Sequence, residues 1–257
     1  MKCMKMNKLF LDTTIQIDKI FAYEREKILD YIENKETATS TYVLMEFNRR
    51  ILKDCRYIHE LLKEEETVGD VIRRINKLPK KWEGKKNICI SILAAISDTG
   101  DLENKDRTVI RLKRFIDRQL KKQFFYGIIN IVDETKCDLA RESVVEKNDR
   151  YFLKTTCKQG EMKCELENFV ERNKNEFEDI LNGLKLEETL DERLENACNS
   201  LEEILNEHEK AMGKNCNKIL GDCIISIETP KNHKILTTDH HYELICKHID
   251  RDPLLFQ

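Results

Sequence analysis

The sequence predicts an α/β fold in which helices cover both faces of a central parallel sheet. Short apolar runs that end in acidic or hydroxyl residues alternate with longer segments whose apolar residues recur at helical spacing. This alternation is typical of parallel sheets, because each crossover carries a helix back over a sheet face. Only 8 Gly and 3 Pro occur in 257 residues, which excludes collagen-like and linker-rich chains. We expect three layers, α/β/α, around a sheet of four or five strands.

The first elements are two strands, each followed by a helix. Residues 8–12 form a short apolar run that predicts a buried strand, and residues 14–33 follow at helical spacing. Residues 37–40 predict the second strand. The next helix begins near Ser40 or Thr41, which are favoured N-cap residues. Its inward face repeats at steps of three and four residues through Leu44, Phe47, Ile51, Cys55, Ile58 and Leu62.

The later elements continue the alternation around one segment of different composition. Residues 63–105 are less regular. Residues 150–215 are rich in Glu and Lys, carry no strand signal, and predict two amphipathic helices that form a hairpin inserted into one domain spanning 1–257. The remaining predictions are helices over 106–122, 134–147, 217–229 and 240–248, and strands over 126–133 and 234–238.

The composition and the length of the apolar runs indicate where the protein is located in the cell. No apolar run approaches the roughly 18 residues that a membrane helix needs, and the N-terminal apolar stretch is too short for a signal peptide. We therefore expect a cytoplasmic protein with no membrane partner, in which the 10 cysteines are reduced. The net charge of −3 argues weakly against nucleic-acid binding, so the local distribution of charge must decide that question.

Four acidic residues lie where a parallel sheet places its ligands. Asp12 and Asp239 follow strand-like runs, Asp222 follows Gly at a helix start, and Glu46 lies in the second turn of its helix. Ligands of open α/β sheets bind beyond the carboxyl ends of the strands. Four carboxylates converging there need cations to neutralise their repulsion, and hard oxygen donors suit Mg²⁺ or Mn²⁺. Taken singly, each acid could instead be a helix cap, a turn residue or a solvated side chain.

The local sequences around these acids resemble the four motifs of the PIN domain family. They are LFLDTT at 9–14, STYVLMEF at 40–47, LGDCIISIE at 220–228 and ILTTDHHYE at 235–243. The resemblance covers roughly residues 7–65, 126–147 and 217–249. It implies a PIN-like fold with an acidic, metal-binding catalytic site formed by Asp12, Glu46, Asp222 and Asp239. It also places polar, substrate-contacting residues at Thr13 and Thr238.

The family resemblance implies hydrolysis of RNA phosphodiester bonds by two-metal chemistry without a protein nucleophile. Family members include VapC-type toxins restrained by an antitoxin, but this chain is much longer than a compact toxin. Whether the protein binds an antitoxin or another protein partner, and whether it forms a homodimer, stays open. Two alternatives also stay open: a catalytically inactive PIN-fold module that binds RNA or docks a protein, and a structure-specific DNA nuclease. The chain lacks the helix-hairpin-helix with which such DNA nucleases grip duplexes.

Two basic features could hold an RNA backbone. The helix at 106–122 carries a stripe at steps of three and four residues, comprising Arg107, Arg111, Arg114, Arg118 and Lys121. Trp82 lies among four lysines in the segment that precedes this helix, and it could stack on an unpaired base. The alternative is a solvated helix face beside a structural Trp, because charge runs usually need no function.

The cysteines offer a second candidate metal site. Cys137, Cys157, Cys164 and Cys216 cluster around the predicted insertion, with Cys198 as an alternate. Four thiolates could bind a structural Zn²⁺ or an iron–sulfur cluster. No CxxC pair is present, and the alternative is that these are free thiols packed as small core residues.

Overall fold

The computed structural model describes residues 8–22, 24–97, 104–137, 145–147, 150–152, 164–212, 216 and 220–256. The described helices are α1 Thr13–Phe21, α2 Arg25–Ile32, α3 Thr41–Glu64, α4 Val68–Asn76, α5 Glu83–Ile96, α6 Lys105–Arg114, α7 Leu120–Phe125, α8 Leu166–Arg172, α9 Lys174–Leu186, α10 Glu192–Asn206, α11 Gly221–Glu228 and α12 His241–Cys246. The longest, α3, has 24 residues and is amphipathic. None of the described helices is both long and apolar enough to cross a membrane.

Five parallel strands form the central sheet, as the alternation of strands and helices predicts. The strands are β1 Lys8–Leu11, β2 Glu36–Ser40, β3 Asn130–Val132, β6 Lys234–Thr237 and β7 Asp252–Leu255, in the order β3-β2-β1-β6-β7. The edge strand β7 was not predicted individually. Its sequence, DPLL, is short and contains Pro253, which is tolerated only where a backbone donor is dispensable, as on an edge strand.

The order of the strands reverses at the middle of the sheet. From β1 the chain moves through β2 to β3 on one side, whereas β6 and β7 lie on the other side. Leu11 is in register with Leu236, so β1 and β6 end at the same level. A crevice opens beyond the carboxyl ends of two strands at such a reversal, and it is where α/β sheets bind ligands. The residues that follow β1 and β6 therefore face each other.

The side chains of β1 alternate between two cores, one on each face of the sheet. Leu9 and Leu11 pack with Ile28 and Ile32 of α2, whereas Phe10 belongs to the larger core on the opposite face. This larger core includes the apolar face of α3 and most of the later helices. Successive strand residues point to opposite faces, so burial on both faces of β1 requires helices on both sides. The predicted three-layer α/β/α arrangement is confirmed.

Several predicted helices are subdivided. The segment predicted as one helix over 14–33 forms α1 and α2, because Ala22 is extended at the C-cap of α1. The helix predicted over 106–122 forms α6 and α7 joined by a π-helical turn at Phe115–Gln119. The irregular segment 63–105 contains α4, a single 3-10 turn at Lys80–Trp82, and α5. Spacing of apolar residues locates helices but does not locate the turn at which one ends.

The predicted hairpin in the insertion is present, with two corrections. Helices α9 and α10 pack together as expected, but α8 precedes them, because the first predicted helix is interrupted at Asn173. Strands β4 Val145–Lys147 and β5 Arg150–Phe152 form an antiparallel pair where helix was predicted. Turn-forming Asn and Asp lie between these two segments in the sequence, and the second segment contains two aromatic residues. Together these features are a signal of a hairpin. Residues 138–144 and 153–163 of these predictions lie outside the described residues.

Lys19 ties α1 to the end of α7 through a buried ammonium group. The side chain is 3% exposed, and its Nζ donates to the carbonyl oxygens of Phe124 at 2.7 Å and Tyr126 at 2.9 Å. Cations are stabilised near the C-terminus of a helix. Burial nevertheless lowers the pKa of Lys19 from 10.5 to about 7, because the charged form loses its hydration.

The stability of the fold should therefore depend on pH through Lys19. Between pH 7 and 10.5 the unfolded chain binds more protons at this residue than the folded chain, so folding becomes more favourable as the pH rises. We expect the unfolding free energy of wild type, minus that of Lys19→Met, to increase with pH across this window, by at most about 1.4 kcal/mol per pH unit. Urea unfolding of both proteins at several pH values measures it. A difference that is constant with pH would contradict the assignment.

Candidate active site

The four predicted acids line a single cleft beyond the carboxyl edge of the sheet. The cleft has a volume of about 630 Å³ and contains Asp12, Glu46, Asp222 and Asp239 among its lining residues. These residues come from four segments separated along the chain. Asp12 follows β1, Glu46 lies in α3 after β2, Asp222 begins α11, and Asp239 follows β6. The convergence is the one that the parallel sheet predicts.

Asp12 is the most deeply buried of the four carboxylates, at 1% exposure. It is the N-cap of α1, because its Oδ1 accepts a hydrogen bond from the backbone N–H of Ile15 at 2.9 Å. The hydroxyl of Thr14 donates to Oδ1 at 2.8 Å, and the hydroxyl of Thr237 donates to Oδ2 at 2.7 Å. The helix-cap alternative is therefore correct as well, and it is compatible with a role in the cleft. These bonds fix the carboxylate in one orientation.

The hydroxyl that supports Asp12 belongs to Thr237. The motif had singled out the next residue, Thr238, as a substrate-contacting hydroxyl. Thr237 is the last residue of β6 and is 0% exposed. Thr238 is exposed, and its hydroxyl bonds Asp18 of α1. Strand residues alternate between faces, so one step along the chain moves a hydroxyl away from the acids. Thr237 also accepts a hydrogen bond from the backbone N–H of Asp239 at 2.9 Å, which links two of the four acids.

Glu46 is held against the start of α11 by two neighbours. The hydroxyl of Thr13, predicted as a substrate-contacting residue, donates to its Oε2 at 2.6 Å. Its Oε1 lies directly against the Cα of Gly221, where the Cβ of any other residue would overlap it. The glycine that opens α11 is therefore required for close approach of a carboxylate. Glu46 of α3 and Asp222 of α11 are brought to the same part of the cleft.

Arg193 bridges Asp222 and Asp239. Its Nη2 lies 2.7 Å from Asp222 Oδ2 and its Nη1 lies 2.9 Å from Asp239 Oδ2. Arg193 is in the first turn of α10, so the helical insertion reaches the predicted catalytic edge. One guanidinium partly neutralises two carboxylates at the position where the motif comparison implied a cation.

A histidine completes this side of the cleft. The Nδ1 of His241 lies 2.8 Å from Asp239 Oδ1, and its Nε2 lies 2.6 Å from Asp191 Oδ2. Asp191 is the N-cap of α10, so this contact also attaches the insertion to the site. Within the described part of the chain, Asp222, Asp239 and His241 are the only group of at least three potential metal ligands whose atoms lie within 4.8 Å of one another. A carboxylate-rich set with one imidazole accepts Mn²⁺ as well as Mg²⁺.

The acids are unfavourable as isolated charges. Burial raises the pKa of Asp12 and of Glu46 to about 7, and burial raises the pKa of Asp222 to about 6 even though Arg193 acts in the opposite direction. The negative charges of their neighbours contribute further to these increases. A divalent cation placed among these oxygens would reverse both effects, because it replaces lost hydration and offsets the repulsion. The donor set therefore fits a hard cation, and the pKa directions give the physical reason for one.

Most basic side chains that line the cleft were not predicted. Arg49, Arg50 and Lys53 of α3 line it together with Trp82 and Lys85, so the predicted aromatic residue and one of the four lysines around it do line the cleft that contains the acids. The predicted stripe on α6 and the following turn and helix does not line the cleft; it comprises Arg107, Arg111, Arg114, Arg118 and Lys121. That stripe instead occupies the face of its helix opposite the buried residues Leu112, Phe115 and Ile116. A contact of this stripe with RNA stays a prediction.

The cysteines do not gather into a metal site among the described residues. Cys137, Cys164 and Cys216 are not brought within ligand distance of one another, and Cys157 lies outside the described residues. Cys137, Cys198 and Cys216 are buried in the large apolar core. The predicted Zn²⁺ or iron–sulfur site includes Cys157, which lies outside the described residues, so this site stays a prediction.

Sequence reasoning missed Arg193, Thr14 and Thr237, and it assigned His241 no role in the site. One signal for Arg193 was present. It is the only Lys or Arg between Lys185 and Lys210, in a segment that is otherwise strongly acidic. A single basic residue in an acidic segment could have been predicted to pair with a specific carboxylate, although the sequence does not identify which one.

No family model, no curated protein and no solved structure matches the chain. The resemblance to the PIN family therefore rests on the four short motifs and stays a prediction.

Proposed function

We propose that this protein is a metal-dependent ribonuclease with a PIN-like acidic site. The observation that carries the proposal is the convergence of Asp12, Glu46, Asp222 and Asp239 on one cleft at the reversal of the strand order. Four separate segments supply these acids, and each acid has a defined position in a local motif. Burial of several carboxylates without a structural core function is costly, which favours a role for them in binding cations and substrate.

The residues divide into three roles. Asp12, Glu46, Asp222 and Asp239 would hold Mg²⁺ or Mn²⁺, with His241 as a further candidate ligand. A cation bound there would supply water activation and neutralisation of charge on the phosphate. Thr13, Thr14 and Thr237 orient the carboxylates through their hydroxyl groups. The basic residues that line the cleft, Arg49, Arg50, Lys53 and Lys85, would bind the phosphates of the substrate.

The proposal is tested by incubating the protein with a mixed pool of RNA in Mg²⁺, in Mn²⁺ and in EDTA. We expect cleavage with either metal and none in EDTA. Cleavage that persists in EDTA would exclude metal-dependent chemistry. Absence of cleavage in every buffer, with RNA still bound, would favour the inactive RNA-binding module.

One observation favours that second candidate function. Arg193 satisfies Asp222 and Asp239 at 2.7 Å and 2.9 Å, and an internal cation of this kind can stabilise an acidic cleft without any metal. The same arrangement is also compatible with a nuclease in which Arg193 moves when a metal binds, because its side chain is 47% exposed. Metal binding to a variant of Arg193 separates the two possibilities.

Removal of the positive charge at Arg193 should strengthen metal binding. We expect Arg193→Gln to bind Mn²⁺ at least about fivefold more tightly than wild type, since one unit charge about 4 Å away contributes roughly 1 kcal/mol or more. Isothermal titration calorimetry measures the two affinities. Arg172→Gln is the matched control, since Arg172 of α8 pairs with Glu134 and Glu165 and does not line the cleft. Weaker binding of Mn²⁺ by Arg193→Gln would indicate that the arginine supports the metal site and does not compete with it.

A further inference from the structure

One face of α3 leads away from the acids as a line of basic residues. Arg49, Arg50 and Lys53 follow Glu46 at three, four and seven positions, which is the spacing of a single helical face. All of them line the cleft that contains the acids. The rise of a helix places Lys53 about 10 Å along the axis from Glu46. The cleft is therefore acidic at the sheet edge and basic along α3.

Trp82 stands on the same wall and is 44% exposed. It ends the 3-10 turn that follows Pro79 and is the N-cap of α5, so its backbone is fixed by a helix start. The Nζ of Lys85 lies 5.1 Å from the centre of the Trp82 ring and 3.8 Å from that of Tyr57 on α3. This contact holds the indole beside the basic face. A large apolar ring left in contact with water, in a cleft lined mainly by charged residues, is a candidate ligand platform.

We propose that this wall is a binding subsite for an unpaired nucleic-acid strand, in which Trp82 stacks on a base and the basic residues of α3 contact the backbone. The proposal rests on the nuclease function proposed above and specifies the form of its substrate. Four bases line this wall against a single buried acid, Asp54, which lies 4.0 Å from Arg50. The wall is therefore cationic overall, although the whole chain has a net charge of −3.

The combination of a ring and a basic track favours a single strand over a duplex. Bases in a duplex are already paired and stacked on each other, so a ring on a protein wall cannot reach their faces. An unpaired base exposes its whole face, and stacking on an aromatic side chain is tolerant of sequence. The geometry therefore predicts selection for unpaired structure, with little preference among bases.

The single Trp of the chain makes the contact directly measurable, because all tryptophan fluorescence comes from residue 82. Asp12→Asn protein in Mg²⁺ is titrated with a short single-stranded oligoribonucleotide, with the same sequence as a duplex, and with an abasic strand of equal charge. We expect the single strand to quench the fluorescence and the other two to leave it unchanged. Quenching by the duplex at equal concentration, or by the abasic strand, would overturn the stacking role.

Variants of the wall test each contact by anisotropy of a labelled single strand. We expect Trp82→Ala to weaken binding roughly 5- to 150-fold, the range that corresponds to loss of one stacked base, and Trp82→Phe to retain most of the affinity. Lys53→Ala should lower the dependence of log K on log salt by about 0.7, the contribution of one phosphate contact. Lys121→Ala, an exposed lysine outside the cleft, should change neither quantity. Unchanged binding by Trp82→Ala, or an effect at Lys121 and none at Lys53, would refute the subsite.

The two proposals fail in different ways. If wild type does not cleave RNA with any metal but shows the quenching and the variant effects, the nuclease proposal is wrong and the single-strand subsite stands. If wild type cleaves a single-stranded substrate and Trp82→Ala has the same KM, the nuclease stands and the subsite is wrong. Circular dichroism of each variant confirms that the fold is retained.

Discussion

Asp12→Asn should abolish metal-dependent RNA cleavage while the fold is retained. Asn is as effective an N-cap as Asp, so the hydrogen bond from Ile15 to the side-chain oxygen can persist. The hydroxyls of Thr14 and Thr237 can rotate to accept from the new amide. The substitution removes the negative charge that a cation needs at the deepest position of the cleft. We expect cleavage to fall by at least about 100-fold, in keeping with the several kcal/mol that a bound metal supplies.

The same variant should be more stable than wild type when no metal is present. The pKa of Asp12 is raised from 3.8 to about 7, so the acid favours the folded state below pH 3.8 and this contribution is lost as the pH rises to about 7. Asn never acquires the charge. The stability of Asp12→Asn relative to wild type, measured by urea unfolding in EDTA, should therefore increase between pH 4 and pH 7 and then remain constant.

Asp30→Asn is the matched control for both measurements, because Asp30 is an exposed carboxylate on α2 and does not line the cleft. We expect it to leave cleavage and stability unchanged. Cleavage by Asp12→Asn at the wild-type rate would refute the acidic site. A loss of stability in EDTA would show that the Asp12 charge supports the fold, contrary to the direction of its pKa.

Gly221→Ala should remove activity with little cost to stability. A Cβ at this position overlaps Oε1 of Glu46, which is the end of a flexible side chain and can move aside. The backbone of α11 need not shift, and Ala favours a helix over Gly. The displaced carboxylate, however, leaves its hydrogen bond with Thr13 and its place beside Asp222. Misplacement of a catalytic group by about 1 Å costs on the order of 100-fold in rate, and we expect a loss of that size.

Gly69→Ala provides the control in another helix. The nearest atom to a Cβ on Gly69 is Thr67 Oγ1 at 3.6 Å, an ordinary contact, and α4 contributes no residue to the cleft. This variant should keep full activity and gain about 0.5–1 kcal/mol from helix propensity. Cleavage rates and urea unfolding of both variants are compared. Full activity of Gly221→Ala would mean that the position of Glu46 does not matter for catalysis.

Local patterns in the sequence were sufficient to place the acids. Apolar runs bounded by Asp12 and Asp239 indicated two buried strands and where they end, and the periodicity of α3 placed Glu46 near the same edge. These inferences succeed because the carboxyl ends of parallel strands share one edge of a sheet. The class of fold and the cleft followed from this rule together with the alternation of elements. The family and the activity do not follow from it, and they stay proposals.

Contacts between distant segments decided where the basic stripe lies. It runs from Arg107 to Lys121 and does not line the cleft. The spacing of the arginines defines one face of a helix. The way in which that helix packs on the rest of the protein decides whether this face lines the cleft.

The sequence by itself determined the alternation of strands and helices, the amphipathic faces, and the acids at the strand ends, because each depends on periods of two or 3.6 residues. Only the tertiary structure decided that Thr237 supports Asp12, that α3 provides the basic wall, and that Arg193 reaches across from the insertion to Asp222 and Asp239. The Arg193 pairs join residues 29 and 46 positions apart. Their formation depends on how α10 packs against the rest of the protein, and no local period in the sequence records that packing.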